Sequence, residues 1–175
     1  MDTLVYWTRF DFDRWSVTLA ATEKGLCYVG LAGNSLEHMK NWSEQFDAEG
    51  LREDETKLEV YRSQIKEYLS GNVNEFPAWS LDLKGTPFQL QVWEALQRIP
   101  YGEITTYSEI AEQMGKVSSV RAVATAIGKN PVLIIVPCHR VIAKSGQLSG
   151  YRDGKEHKRS LLQLEKSSWI SDRTE

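Results

Sequence analysis

The stretch from Asn130 to Ile142, NPVLIIVPCHRVI, constrains this chain more than any other. Val132 to Val136 is apolar and mostly β-branched, so it demands burial and predicts a strand or extended segment, with Pro137, Cys138, His139 and Arg140 delivered at its end. A cysteine among valines is commonly an inert small hydrophobe. Here an imidazole and a guanidinium follow at once, and such neighbours favour the thiolate of a group whose free pKa is about 8.5. Cys138 is the candidate nucleophile and His139 the candidate base. Neighbours on an extended segment point to opposite faces, so His139 would reach the sulfur only through a bend or a water. A third group must orient the imidazole, and Glu165 and Glu156 are both candidates by spacing.

The rest of the chain reads as a globular α+β protein of 175 residues. Hydrophobic residues make up 41% and charged residues 26%, enough apolar material for a core, and no run approaches the roughly 20 apolar residues of a membrane helix. The start, MDTLVYWTRFDFDRW, lacks the basic and apolar regions of a signal peptide, so the expected location is cytoplasmic, with no membrane partner. Two cysteines, Cys27 and Cys138, suit a reducing compartment, and no paired Cys/His spacing suggests a metal. The formal net charge of −3 hides an asymmetry. Residues 1–85 carry 9 Lys/Arg against 15 Asp/Glu, whereas residues 86–166 carry 11 against 7, so the second half can face a phosphate backbone although the whole chain is acidic.

Taken in order, Thr3 to Leu31 alternate in the manner of two or three antiparallel strands, with Cys27 a core residue. Leu36, Met39, Trp42 and Phe46 recur at helical spacing, the acidic run Glu49 to Glu55 reads as a loop or helix start, and Thr56 to Ser70 is a second amphipathic helix stopped by Gly71. His38 falls on a helix surface. Pro77, Gly85 and Pro87 mark a connection, and a boundary is expected near residue 80, giving domains 1–80 and 81–175. Thr86 and Pro87 cap and begin a helix as far as Ile99. Ser108 to Gly115 and Val120 to Gly128 are two short helices about a tight turn, the pattern of a helix-turn-helix, in which small residues serve either close approach to a nucleic acid or close helix packing. Ser145 to Tyr151 is a glycine-rich loop, and Lys155 to Glu165 a basic helix with Leu161, Leu162 and Leu164 on its apolar side. Trp169 is the one residue of the tail with reason to dock.

Three blocks, GTPFQLQVWEALQRIPYGEITTYSEIA, RAVATAIGKNPVLIIVPCHRVI and SGYRDGKEHKRSLLQLE, together resemble the O6-alkylguanine-DNA alkyltransferases in identity and order. The fold implied is a small N-terminal antiparallel-sheet-plus-helix domain packed on a mostly helical, winged-helix-like C-terminal domain. The resemblance makes Cys138 the alkyl acceptor, His139 a proton relay through a water, Glu165 the residue that holds the histidine, and Asn130 the residue that fixes the turn before the cysteine. Arg121 would fill the stack vacated by a flipped nucleotide, Tyr107 would turn and protonate the base, and Tyr151 would pack beside it. Ala122 and Ala126 would approach the minor groove, and Arg140, Val141 and Arg152 complete the expected substrate and DNA contacts. A monomer acting once on double-stranded DNA, without cofactor or metal, is what the family implies. Asp153 and Leu133 depart from the family pattern, and the cysteine-rich phosphotriester-sensing domain of some members is not expected here. Two other readings are a helix-turn-helix binding protein with a structural or redox-sensing cysteine, and a cysteine hydrolase, which lacks an oxyanion-donor motif or a second histidine near the site.

Overall fold

In the computed structural model, residues 3–45 and 48–166 are described, and the chain divides into two compact units, Met1–Lys84 and Gly85–Glu175. The first is built on a four-stranded sheet. Strands β1 (Thr3–Phe12), β2 (Trp15–Thr22) and β3 (Gly25–Gly30) run antiparallel as expected, and β4 (Ala48–Glu53) adds in parallel beside β1, for an order β3-β2-β1-β4. Alternation along the strands sends neighbours to opposite faces. Val5, Ala20 and Cys27 cluster with Met39 of helix α1 (Ser35–Ser43), while Tyr6 and Ala21 cluster with Leu58 of helix α2 (Glu55–Leu69). A helix therefore covers each face of the central strands, and β2 and β3 are buried almost throughout.

The acidic run, expected as a loop or helix start, does start a helix at its end but is not a loop before it. Its first part belongs to β4, whose Leu51 packs against the Cys27 cluster, and Asp54 then caps α2 by accepting from the Lys57 amide at 3.0 Å. Phe46 and Trp169 lie outside the described residues. The connection also does more than span: Leu26 donates to the Ser80 carbonyl (3.1 Å), Asp82 donates back to the Leu26 carbonyl (2.9 Å), and Thr22 Oγ1 donates to Asp82 Oδ2 (2.5 Å). Residues 80–82 thus border β3, and the break between units falls after Lys84. Gly25 makes this possible, because its φ is +144° and a Cβ there would stand 2.2 Å from the Ser80 oxygen.

The second unit is mostly helical. Helix α3 (Pro87–Leu96) starts with a capping box, in which Thr86 Oγ1 accepts from the Gln89 amide (3.1 Å) and Gln89 Oε1 from the Thr86 amide (3.0 Å). The two-residue strand β5 (Thr105–Thr106) leads into α4 (Tyr107–Gln113), a 3₁₀ turn at Val117–Ser119, and α5 (Val120–Gly128). Trp93 of α3 is buried and its indole donates to the Ala126 carbonyl of α5 at 2.8 Å. Strand β6 (Val141–Ile142) pairs in parallel with β5, setting Thr105 opposite Val141 and Thr106 opposite Ile142, and α6 (Lys155–Leu164) closes the unit.

Candidate active site

The strand or extended segment expected at Val132–Val136 is instead a tight turn. Ile135 donates to the Leu133 carbonyl (2.9 Å) and Val136 to the Val132 carbonyl (3.0 Å), so the run is buried by folding on itself rather than by a sheet. The buried Asn130 side chain closes it: Oδ1 accepts from the Val132 amide (2.9 Å) and Nδ2 donates to the Val136 carbonyl (2.7 Å). Ile134 adopts φ +74° inside this turn, a conformation that costs a β-branched residue of order 1–3 kcal/mol and persists only when its surroundings enforce it. From there Cys138, His139 and Arg140 form a single 3₁₀ turn, with the Cys138 amide donating to the Val136 carbonyl at 2.8 Å.

Of the two carboxylates open by spacing, Glu165 is the one that meets His139. Glu165 stands immediately after α6, buried. Its Oε2 lies 2.8 Å from His139 Nε2, Arg140 donates from Nε to Oε1 (2.9 Å) and from Nη2 to Oε2 (2.8 Å), and the Gly102 amide donates to Oε1 (3.3 Å). Burial would raise this carboxyl, but its hydrogen bonds to His139 and Arg140 outweigh that and hold it well below the usual carboxylate range. Burial in turn pushes His139 below its ordinary value despite Glu165, so the imidazole is neutral. A carboxylate only accepts, so Nε2 carries the hydrogen and Nδ1 is the acceptor nitrogen. Nδ1 is buried with no hydrogen-bond partner among the described residues.

Arg140 is a correction to the sequence reading. Besides Glu165 it donates from Nη1 to the Ile99 carbonyl (2.6 Å) and lies 5.8 Å from the Tyr101 ring centre, so it faces inward rather than toward a ligand. The cations that favour a Cys138 thiolate are therefore not its sequence neighbours. Burial raises the thiol above its ordinary value, while a hydrogen bond from Asn130 and the charges of Lys158 and Arg152 pull it down, with Asp153 opposing them. Lys158 is fully buried on α6, donating to the Val141 carbonyl (2.6 Å) and to Ser149 Oγ (3.0 Å), and burial lowers it to about 8. Ser149 Oγ is also 2.5 Å from Tyr107 Oη. Neither Lys158 nor Ser149 stands out in the sequence. The available signal is that Lys158 lies three and four residues before Leu161 and Leu162, on the apolar face of its helix.

Cys138 borders a cavity of about 290 Å³, near the lower end of the roughly 300–1,000 Å³ of small-molecule sites. Cys138, Asn130, Tyr107, Tyr151 and Arg152 line it, and Ala124, Ile127 and Gly128 of α5 form a wall. Arg152 is tied down from Nη1 to the Asn130 carbonyl (2.9 Å) and from Nε to Asp153 Oδ1 (3.1 Å). On α5, Arg121, Ala122 and Thr125 are exposed, whereas Ala126 is buried against Trp93. Ala126 is thus small for helix packing and not for a groove, a second correction. Val141 is also fully buried, a third correction, its backbone serving β5 and Lys158. Among the described residues no group of three or more His, Cys, Asp or Glu could hold a metal ion, and no helix is long and apolar enough to cross a membrane.

Residues 87–167 match the family model described as the 6-O-methylguanine DNA methyltransferase DNA binding domain, and residues 5–83 match that family's ribonuclease-like domain. The chain is 47% identical over 163 residues to the inducible methylated-DNA–protein-cysteine methyltransferase of Bacillus subtilis (strain 168), covering 93% of this chain and 90% of the relative. It is 53% identical over 111 residues to the corresponding Mycobacterium tuberculosis (H37Rv) protein, covering 63% and 67%. The crystal structure of M. tuberculosis O6-methylguanine methyltransferase superposes with a TM-score of 0.80 at 40% identity over 93% of each chain. That of M. tuberculosis OGT in complex with DNA gives 0.79 at 36% identity over 95% of this chain and 98% of that one.

Proposed function

Because the chain belongs to the 6-O-methylguanine DNA methyltransferase family, we propose that it repairs O6-alkylguanine in double-stranded DNA by moving the alkyl group irreversibly to Cys138. The cavity carries this reading: a buried sulfur shares it with two tyrosines, and a helix with an exposed arginine forms its wall. A group on guanine O6 cannot reach such a sulfur from within the stack. The nucleotide must be extruded, at a cost of a few kcal/mol that a damaged pair reduces. Arg121 fills the gap it leaves, Ala122 allows α5 to approach the minor groove, and the limited information there makes binding largely independent of sequence.

The thiol proton passes through a water to His139 Nδ1, the nitrogen that the Glu165 contact leaves as acceptor. The sulfur then attacks the alkyl carbon in line, the carbon–oxygen bond breaks, and Tyr107 protonates the departing guanine while Tyr151 packs against it. The thioether is too stable to reverse. Each molecule therefore acts once, as a monomer and without cofactor. The two free cysteines, Cys27 and Cys138, favour placing it in the reducing cytoplasm.

Incubation with duplex DNA containing O6-methylguanine, followed by mass spectrometry of the digested protein, tests this reading. The Cys138 peptide gains one CH2, and Cys138→Ser abolishes the gain. No gain, or a gain on Cys27, refutes it. A helix-turn-helix protein with an inert cysteine would instead bind methylated and plain duplex alike.

A further inference from the structure

The transfer chemistry uses Lys158 only as a charge that favours the Cys138 thiolate and leaves its hydrogen bonds without a task. An ammonium buried on the apolar face of a helix is costly unless it is hydrogen-bonded, and the neighbouring buried positions of that face are Leu161 and Leu162. Its Nζ holds the Val141 carbonyl at 2.6 Å and Ser149 Oγ at 3.0 Å, and Ser149 Oγ is 2.5 Å from the Tyr107 phenol. Tyr107 lines the cavity with Cys138. Three polar groups thus run unbroken from the core of α6 to the cavity.

Resting on the functional reading above, we propose that Ser149 and Lys158 are positioning residues that aim the Tyr107 hydroxyl at the departing base and restore its proton. As the carbon–oxygen bond breaks, its electron pair goes to the guanine, which takes the Tyr107 proton. The phenolate takes the Ser149 proton, Ser149 takes one from the Lys158 ammonium, and Lys158 is left as a neutral amine. The proton lost by the Cys138 thiol through His139 balances the one that solvent later returns to Lys158. The groups bearing on Lys158 suit this role: Cys138 opposes loss of its proton, Lys155 one turn earlier on the same helix promotes it, and burial, the largest influence, lowers the amine to about 8. His139 senses the same charge, and Arg152 and Asp153 act on the Cys138 end.

The single-turnover rate on methylated duplex, followed from mildly acidic to alkaline pH, tests the relay. In the wild type the rate falls on the alkaline side, near 8, as Lys158 loses its proton. Ser149→Ala is expected to slow transfer about tenfold, a fraction of the roughly 100-fold or more that general acids supply, and to abolish that alkaline fall. Ser149→Thr restores both. Lys158→Arg keeps a charge and donors but cannot release a proton, so it does not restore the rate. Alkylation of Cys138 by iodoacetamide at the wild-type rate shows that the Ser149→Ala variant is folded and its sulfur intact. An unchanged rate, or a uniform loss at every pH with the alkaline fall retained, overturns the relay alone. A wild type that leaves the duplex methylated overturns the functional reading and the relay with it.

Discussion

Glu165 is held by a histidine, an arginine and a backbone amide at once. Removing one partner of such a buried cluster strands the others, at roughly 3–5 kcal/mol. Glu165→Gln should therefore lower the unfolding free energy measured in urea by that much and slow transfer. Its pH dependence has a definite sign. The folded pKa is depressed, so the stabilisation is present above the unfolded carboxylate value of about 4.3 and is lost as pH falls below it; Glu165→Gln should flatten that acid limb in unfolding titrations. For Lys158, lowered from 10.5 to about 8, the unfolded chain binds the extra proton between those values, so stability from this group rises across that window. Lys158→Met should remove the rise. The cavity's cysteine, both tyrosines, Asn130 and Arg152 could be singled out from residue type and the family pattern, and the structure brings them together. Lys158 and Ser149 could not, because a lysine in a basic helix and a serine in a glycine-rich loop look solvated until burial and the 2.5 Å contact are seen.

At the scale of elements, Asn130 performs for a seven-residue turn what a neighbouring strand performs for a β-segment: it satisfies a buried donor and a buried acceptor. Asn130→Ala should cost about 1–3 kcal/mol for those groups, measured by denaturant unfolding, and should release the Cys138 turn. A periodicity argument could not separate this turn from a strand, since both bury the same apolar run; what decided it was a side chain outside the run. β4 was hidden for the converse reason. Its pairing with β1 is made by backbone, and Leu51 alone marks it as buried structure in an acidic stretch. The helices were legible because caps and spacing are local, as Thr86, Pro87 and the Leu58–Ile65–Leu69 face show. Gly25→Ala should cost about 3 kcal/mol, at the upper end of ordinary substitutions, because the added carbon meets the Ser80 carbonyl.

For the whole molecule, the opposite charge bias of the two halves means that a net charge of −3 is a poor guide to partners. Arg121→Ala should weaken repair in duplex far more than reaction with free O6-methylguanine base, since only the duplex leaves a gap to fill; equal losses on both substrates would remove Arg121 from the flipping step. The position of Glu165 also has a consequence for a chain that is cut back to it. The group that orders the histidine and the arginine is a single residue beyond α6. Shaving by a carboxypeptidase should therefore act as a switch rather than a dimmer. Chains trimmed to Lys166 retain their anchor, and loss of two further residues strands an imidazole and a guanidinium together and silences the sulfur in one step.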